Sequence, residues 1–234
     1  TIEIGTIATF ADDTAILAVG ETIEDATEKL QTSVNKIHEW TRKWRIKLNE
    51  IKSAHVDFTN KNVQHLPVIL NNKQIPYSNS AKYLGITLDA KLRWRAHVKK
   101  KREELEIKYK KMYWLIGRNA NLQLHNKLLI YKQVLKPVWT YGIQLWGCSK
   151  QSNRDIIQRF QNKVLRNMVN APWYVRNGDI QRDLRMDTVD SVVKKFARSH
   201  EDRLHQHVNP EALQLLDNSQ IVRRLKRTKP FELV

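Results

Sequence analysis

One cysteine, seven glycines and six prolines are all that this chain of 234 residues holds of those three types. The lone thiol, Cys148, excludes an internal disulfide framework. With no histidine or base close by in sequence, it reads as a packed core thiol in a chain suited to a reducing compartment. The glycines are too few and too scattered for a P-loop or a dinucleotide-binding loop. No apolar run approaches the roughly 20 residues of a membrane-spanning helix, and no signal-peptide core stands at the start. His200, His205 and His207 lie close together but lack the cysteine partners and spacing of a zinc site. No Ser/His/Asp set, internal repeat or low-complexity tract stands out. Acidic side chains are scarce as well. Against 41 Lys plus Arg there are 24 Asp plus Glu, a formal charge of +17. That excess goes beyond what solubility needs and marks a polyanionic partner.

What is present is organised around Thr9-Phe10-Ala11-Asp12-Asp13-Thr14. Apolar, β-branched runs flank the two carboxylates, from Ile2 to Ala8 and from Ala15 to Val19. Such a pattern predicts a β-hairpin with the pair at its tight turn. Two like charges a few ångströms apart repel, and a hard divalent cation such as Mg²⁺ is the usual remedy. Asp also favours turns on its own account.

Further along, Thr22-Ile23-Glu24-Asp25 has capping-box spacing. Ile23, Ala26, Leu30, Val34, Ile37, Trp40, Trp44 and Leu48 then step by threes and fours, predicting a long amphipathic helix that stops at Asn49. Ala54, Val56 and Phe58 alternate as a half-buried strand would. Pro67-Val68-Ile69-Leu70 and Gln74-Ile75 flank an Asn71-Asn72 hairpin turn, and Lys82-Tyr83-Leu84-Gly85-Ile86-Thr87-Leu88 reads as one more strand. From Lys91 strand patterns give way to helical ones. A helix is expected over 97–117, with Leu105, Tyr109, Met112 and Ile116 inward, and another from Leu124 to Leu135, stopped by Pro137. Trp139–Gly147 is aromatic and has no secure local reading. Ile156, Phe160, Val164 and Met168 predict a helix ending before Pro172, and Val189, Val192, Val193 and Phe196 another. The segment 223–229 is a basic tail. The fold class is therefore α+β, in three regions: 1–90, 91–150 and 151–234.

Two further groups bear on chemistry. Lys52, just past the long helix, could give a proton to a leaving pyrophosphate, or it is a solvated loop lysine. Lys99, Lys100, Lys101, Arg102, Lys108, Lys110 and Lys111 form a basic helix face suited to tracking a phosphate backbone, interleaved with Tyr109, Tyr113 and Trp114. Most of those aromatics are expected to be core.

In order along the chain, these pieces resemble a known family. Phe10-Ala11-Asp12-Asp13 resembles the (F/Y)xDD box of reverse transcriptases. Leu48-Asn49-x-x-Lys52-Ser53 after a long helix looks like the palm's motif D region, and Lys82-Tyr83-Leu84-Gly85-Ile86 is similar to the primer-grip strand. Trp139-x-Tyr141-Gly142-x-x-x-Trp146, Arg159-Phe160-Gln161-Asn162-Lys163-x-Leu165-Arg166 and Ala171-Pro172-Trp173-Tyr174-Val175-Arg176-Asn177 resemble the thumb and C-terminal helices of non-LTR retrotransposon polymerases, the jockey-like group above all.

The resemblance implies an RNA-directed DNA polymerase of a mobile element, working on an RNA template, a DNA primer or target, and dNTPs. It implies two-metal Mg²⁺ chemistry in which one ion activates the primer 3′-hydroxyl and both stabilise charge at the α-phosphate. Asp12 carries over as the direct metal ligand, and Asp13 as a neighbour that points differently and acts mainly through its field. Phe10 and Ala11 would support the nucleotide and the primer terminus. Tyr83, Leu84 and Gly85 would hold the primer end. The expected regions are then part of a palm, a thumb, and a helical C-terminal region, acting in nucleus and cytoplasm with no membrane partner. The family's first catalytic aspartate and its fingers have no counterpart in this sequence, which is expected to be a fragment that does not polymerise alone. No RNase H pattern or zinc knuckle follows the thumb. The alternative is a basic nucleic-acid-binding remnant without chemistry.

Overall fold

In the computed structural model, Thr22 caps the first long helix as its spacing predicts. Its hydroxyl accepts the Asp25 N–H at 3.2 Å, and the Asp25 carboxylate accepts the Glu21 N–H at 3.0 Å. The structure describes residues 5–62, 64–216 and 230–233; residues 2–4 of the expected opening strand and the basic tail 223–229 lie outside these. The chain is α+β and divides into two units, 1–92 and 93–234.

The first unit is built from β-hairpins and one helix. β1 (Thr6–Phe10) pairs antiparallel with β2 (Asp13–Leu17), in a register that sets Phe10 opposite Asp13. α1 (Ile23–Lys43) packs on β2 and on β3 (Ile69–Leu70), which pairs with β4 (Lys73–Gln74). The expected Asn71-Asn72 turn is there, both residues at positive φ (52° and 58°), the type I′ geometry that asparagine tolerates. Gln31 holds α1 to β3 from its side chain: the amide donates to the Ile69 carbonyl at 2.8 Å and accepts the Ile69 N–H at 2.7 Å. Val34, Val68, Leu70 and Ile75 form the core, with Ile16, Leu30 and Leu48 against it.

Three expectations in this unit need correction. The helix ends at Lys43 rather than near Asn49, because Arg45 turns to a positive φ of 57°. The segment 82–88 is a hairpin, not a single strand: β5 (Ser80–Tyr83) and β6 (Ile86–Asp89) meet at Leu84-Gly85, with φ of 45° and 76°. Gly85 therefore makes the turn possible; a side chain there would be strained. Around Ala54–Phe58 the chain makes an isolated bridge, His55 to Tyr77, and it is His55 that is buried.

The second unit is helical. α2 (Arg95–Lys111) leads into a short α3 (Tyr113–Ile116), so the helix expected over 97–117 breaks at Met112. Its predicted inward residues Leu105, Tyr109 and Ile116 are buried. α4 (Leu124–Ile130) runs through a π turn (Tyr131–Leu135) straight into α5 (Lys136–Thr140). Pro137 does not stop this helix. The π turn, with the Lys136 N–H reaching back five residues to the Tyr131 carbonyl, widens the backbone just before the proline. The aromatic stretch without a secure reading resolves into the end of α5, a turn at Gly142 (φ 65°) and α6 (Ile143–Trp146), with Trp139 and Trp146 buried. α7 (Gln151–Met168) buries Phe160, Val164 and Met168 as predicted, with Ile157 rather than Ile156 beside them. α8 (Asn177–Asp183) and α9 (Val189–His205) pack on α7.

Polar ties fix these helices to one another. Tyr109 meets the Phe160 ring edge to face at 6.0 Å and accepts the Asn167 amide at 2.7 Å. Arg154 on α7 donates to Asp190 on α9 at 2.6 Å and to the carbonyls of Ser149 and Gly147.

Candidate functional site

The register leaves Ala11 and Asp12 as the two-residue loop of the first hairpin, with Asp13 opening β2. Only Ala11 of the two takes a positive φ, 50°, the II′ pattern whose first loop residue is usually glycine. Alanine in that region costs on the order of 1 kcal/mol, and strain of this kind gathers at functional turns. Asp12 and Asp13 are exposed, and neither carboxylate has a hydrogen-bond or ion-pair partner among the described residues. Phe10 and Asp13, being directly opposed, share a face of the hairpin, and Phe10 is 65% exposed.

Of the other residues expected around the pair, Tyr83 comes to this hairpin. Its phenol donates to the Ala8 carbonyl at 3.3 Å, which ties the Leu84-Gly85 turn to β1. Lys52 lies exposed on the loop after α1, its N–H on the Asn49 side chain at 3.1 Å. No described contact joins its ammonium group to the carboxylates.

Two adjacent, exposed carboxylates give the hard, negative oxygen donors that Mg²⁺ prefers. In kind the donor set fits that ion. In number it is short, because no group of three or more His, Cys, Asp or Glu side chains able to hold a metal occurs among the described residues.

The basic helix face divides in two. Lys99, Lys100, Lys108, Lys110 and Lys111 are exposed and carry no ion pair among the described residues; Glu103 is the exposed acid in their midst. Lys99 and Lys110, like Lys100 and Lys111, stand about three helical turns apart and so share a face. Lys101 and Arg102 turn inward instead. Lys101 pairs with Glu104 at 3.1 Å, and Arg102 pairs with Glu106 at 2.6 Å while lying over the Phe160 ring. Lys163 from α7 also reaches Glu106, at 2.6 Å. Burial pushes the Glu106 carboxyl up, but the hydrogen bonds from Lys163 and Arg102 outweigh it and leave the group below its usual range. Of the interleaved aromatics Tyr109 is core, whereas Tyr113 is exposed and Trp114 is 74% exposed.

The second unit also holds the thiol. Cys148 is half-buried, its sulfur 3.5 Å from the Gln144 carbonyl, and burial raises its pKa to about 11. At neutral pH it is protonated, in keeping with a packing role.

One cluster had no local signal in the sequence. Asp57 accepts from His55 at 3.1 Å and from His65 at 2.6 Å, and the Tyr77 ring stacks on His65 with centroids 3.5 Å apart. Burial, then the Asp57 charge, raises the Tyr77 phenol above its ordinary value. This clasp fastens an irregular segment that has little strand pairing of its own.

Known proteins are similar to this chain along nearly its whole length. A Drosophila melanogaster protein described as a probable RNA-directed DNA polymerase from transposon X-element is 40% identical over 228 residues, 97% of this chain and 25% of that protein. The RNA-directed DNA polymerase from mobile element jockey of the same species is 36% identical over 97% of this chain and 26% of its own length. A probable RNA-directed DNA polymerase from transposon BS is 33% identical over 94% of this chain and 24% of its own length. The chain thus spans about a quarter of the length of these curated relatives. No family model and no solved structure matches it.

Proposed function

We propose, on the premise that this chain is a relative of the jockey-like non-LTR retrotransposon reverse transcriptases along nearly all of its length, that it forms the carboxylate hairpin and the nucleic-acid grip of an RNA-directed DNA polymerase. The observation that carries this reading is the hairpin itself. Phe10-Ala11-Asp12-Asp13 stands at a strained, exposed turn, and both carboxylates are left without a protein partner among the described residues. A purely structural turn has no need of that repulsion.

Asp12 and Asp13 would hold Mg²⁺, which when bound supplies charge stabilisation for phosphoryl transfer and lowers the pKa of the attacking hydroxyl. The chain's own part is to position. Asp12 at the loop and Asp13 at the strand start present hard oxygen donors from a short, paired backbone. Phe10, on the same face as Asp13, offers an apolar surface to the nucleotide or primer terminus. Tyr83, anchored on Ala8, sets the Leu84-Gly85 turn beside that hairpin to hold the primer end. Lys52 is the proposed proton donor to the leaving pyrophosphate. In the second unit the exposed lysines of α2 would meet backbone phosphates of an RNA template and DNA primer, with Lys101 and Arg102 steadying the helix beneath them. Nucleus and cytoplasm are the proposed compartments; no helix among the described residues is long and apolar enough to cross a membrane. Two carboxylates make less than a full cage, so the chain alone is expected not to polymerise.

A chimera tests the assignment. This chain replaces the matching segment of the jockey polymerase, and extension of a DNA primer on an RNA template is measured with Mg²⁺. The chimera should extend, Asp12→Asn should lose at least about 10³-fold in rate, and Lys52→Ala about 10-fold or more. Full activity in the Asp12→Asn chimera would overturn the reading. An inactive chimera that still binds template and primer would favour the second reading, a grip without chemistry, which the ion-pair-free lysines of α2 support on their own.

A further inference from the structure

The loop between α7 and α8 carries two aromatic rings that the polymerase reading leaves unused. Trp173 is 90% exposed and Tyr174 69% exposed. Leaving rings of this size in water forgoes on the order of 2 kcal/mol of burial apiece, so side by side on one short loop they mark an interaction surface. The loop is nevertheless held firmly. Arg166, from the last turn of α7, donates to the Val175 carbonyl at 2.6 Å, to the Asn177 side chain at 3.2 Å and to the Pro172 carbonyl. The Ala171 N–H bonds the Arg166 carbonyl at 3.0 Å, the Val175 N–H bonds that of Pro172 at 3.2 Å, and Ala171 itself is buried. A braced backbone thus presents two largely exposed rings that meet each other edge to face.

Those rings border an open concavity of about 640 Å³ whose wall also includes Arg118, Arg166 and Arg176, and no carboxylate. Arg166 is occupied with the loop. Arg118 and Arg176 make no ion pair among the described residues. Flat, exposed faces next to unpaired guanidinium groups match one kind of ligand well. A nucleobase has two π faces, its phosphate takes the guanidinium fork, and both lie within a single nucleotide. Trp173 and Tyr174 stand edge to face, centroids 6.0 Å apart and planes at 82°. They cannot sandwich one base, so a base stacked on Trp173 meets the edge of Tyr174. Inside a duplex the base faces are covered by their neighbours, so away from the two end pairs an unpaired nucleotide is what these rings can take. An acidic peptide would satisfy the arginines but leave the indole face idle.

We propose that the loop 171–177 is a binding site for an unpaired nucleotide of RNA or DNA, its base on Trp173 and its phosphate on Arg118 and Arg176. The proposal rests on the nucleic-acid reading above and adds to it a second contact, separate from the lysine face of α2.

The test uses the whole chain and fluorescein-labelled 20-mers, as single-stranded RNA, single-stranded DNA and blunt duplex, read by anisotropy. Trp173→Ala should weaken binding of at least one single strand about 10- to 100-fold and leave duplex binding within about 2-fold. Trp173→Phe should recover most of the loss, and Arg118→Ala with Arg176→Ala should reproduce it. Which single strand responds identifies the source of the nucleotide. An oligonucleotide carrying 5-iodouracil should crosslink within 171–177. Equal losses for single strands and duplex, or no loss for either single strand, would overturn the site while leaving the nucleic-acid reading intact. Displacement by a poly-glutamate peptide with no single-strand effect would reassign the loop to a protein partner. Failure of the unaltered chain to bind any nucleic acid would sink the broader reading as well.

Discussion

The two units differ in what they bury. In the first, the regular elements themselves are exposed: Ile7, Phe10 and Leu17 on the first hairpin and Trp40 on α1 stand in solvent, around a core of a few aliphatic residues. In the second, the helices close over Tyr109, Tyr131, Trp139, Trp146 and Phe160, while Ile107, Trp114 and Leu129 on the helices and Trp173 and Tyr174 on a loop stay outside that core. The contrast separates two tasks. Paired carboxylates survive on a thinly covered hairpin because water solvates them there; inside a packed core their desolvation would be prohibitive. A rigid helical body can instead carry a dense field of lysines on its surface, because its stability comes from rings buried beneath them. Two-stranded hairpins are marginal by themselves, which makes the clasp of His55, Asp57 and His65 valuable to the first unit.

Breaking the second unit's core should have the largest effect. Phe160→Ala removes a fully buried ring and should cost about 3–5 kcal/mol in urea unfolding followed at 222 nm. Next comes pH. Burial, then the charges of Lys101 and Lys100, holds the His97 imidazole down to about 4 from 6.5. The unfolded chain therefore takes up this proton first. Stability is full above about pH 6.5 and should fall by up to about 3 kcal/mol as pH drops toward 4. Thermal melts across that window should show the decline, and His97→Gln should flatten it. A smaller loss, about 1–3 kcal/mol and confined to the first unit, is expected for Asp57→Asn, which weakens two histidine contacts at once. Amide exchange across 55–78 would report it. Phe10→Ala should move stability by no more than about 0.5 kcal/mol, since the ring packs little. A loss there as large as that of Phe160→Ala would erase the distinction between the units.

Local signals carried much of this architecture. Thr22 and Asp25 mark a helix start within four residues, Asn71-Asn72 specify a turn, and the fours of Phe160, Val164 and Met168 fit a helix that buries them. Readings failed where the deciding interaction was subtle or distant. Gly85 inside an apolar run signals a strand or a turn equally well until a positive φ at Leu84 joins it. Pro137 normally ends a helix, and only the π turn before it, absent from any propensity, carries the chain through. The carboxylate hairpin was legible because both acids and their turn are contiguous. The Trp173 concavity was not, because Arg118 reaches it from more than fifty residues upstream.

The most direct test of this division of labour is the affinity of the whole chain for a single-stranded RNA at low salt. It is compared between the unaltered chain, a Lys99→Ala, Lys100→Ala, Lys110→Ala, Lys111→Ala combination and an Asp12→Asn, Asp13→Asn pair. The lysine set should lose at least about 10-fold and show a shallower salt dependence, by about 0.7 in slope per lost phosphate contact. The aspartate pair should bind as well as the unaltered chain or slightly more tightly, having shed two like charges from a polyanion's path. Weaker binding by the aspartate pair with full affinity in the lysine set would contradict the account at its centre.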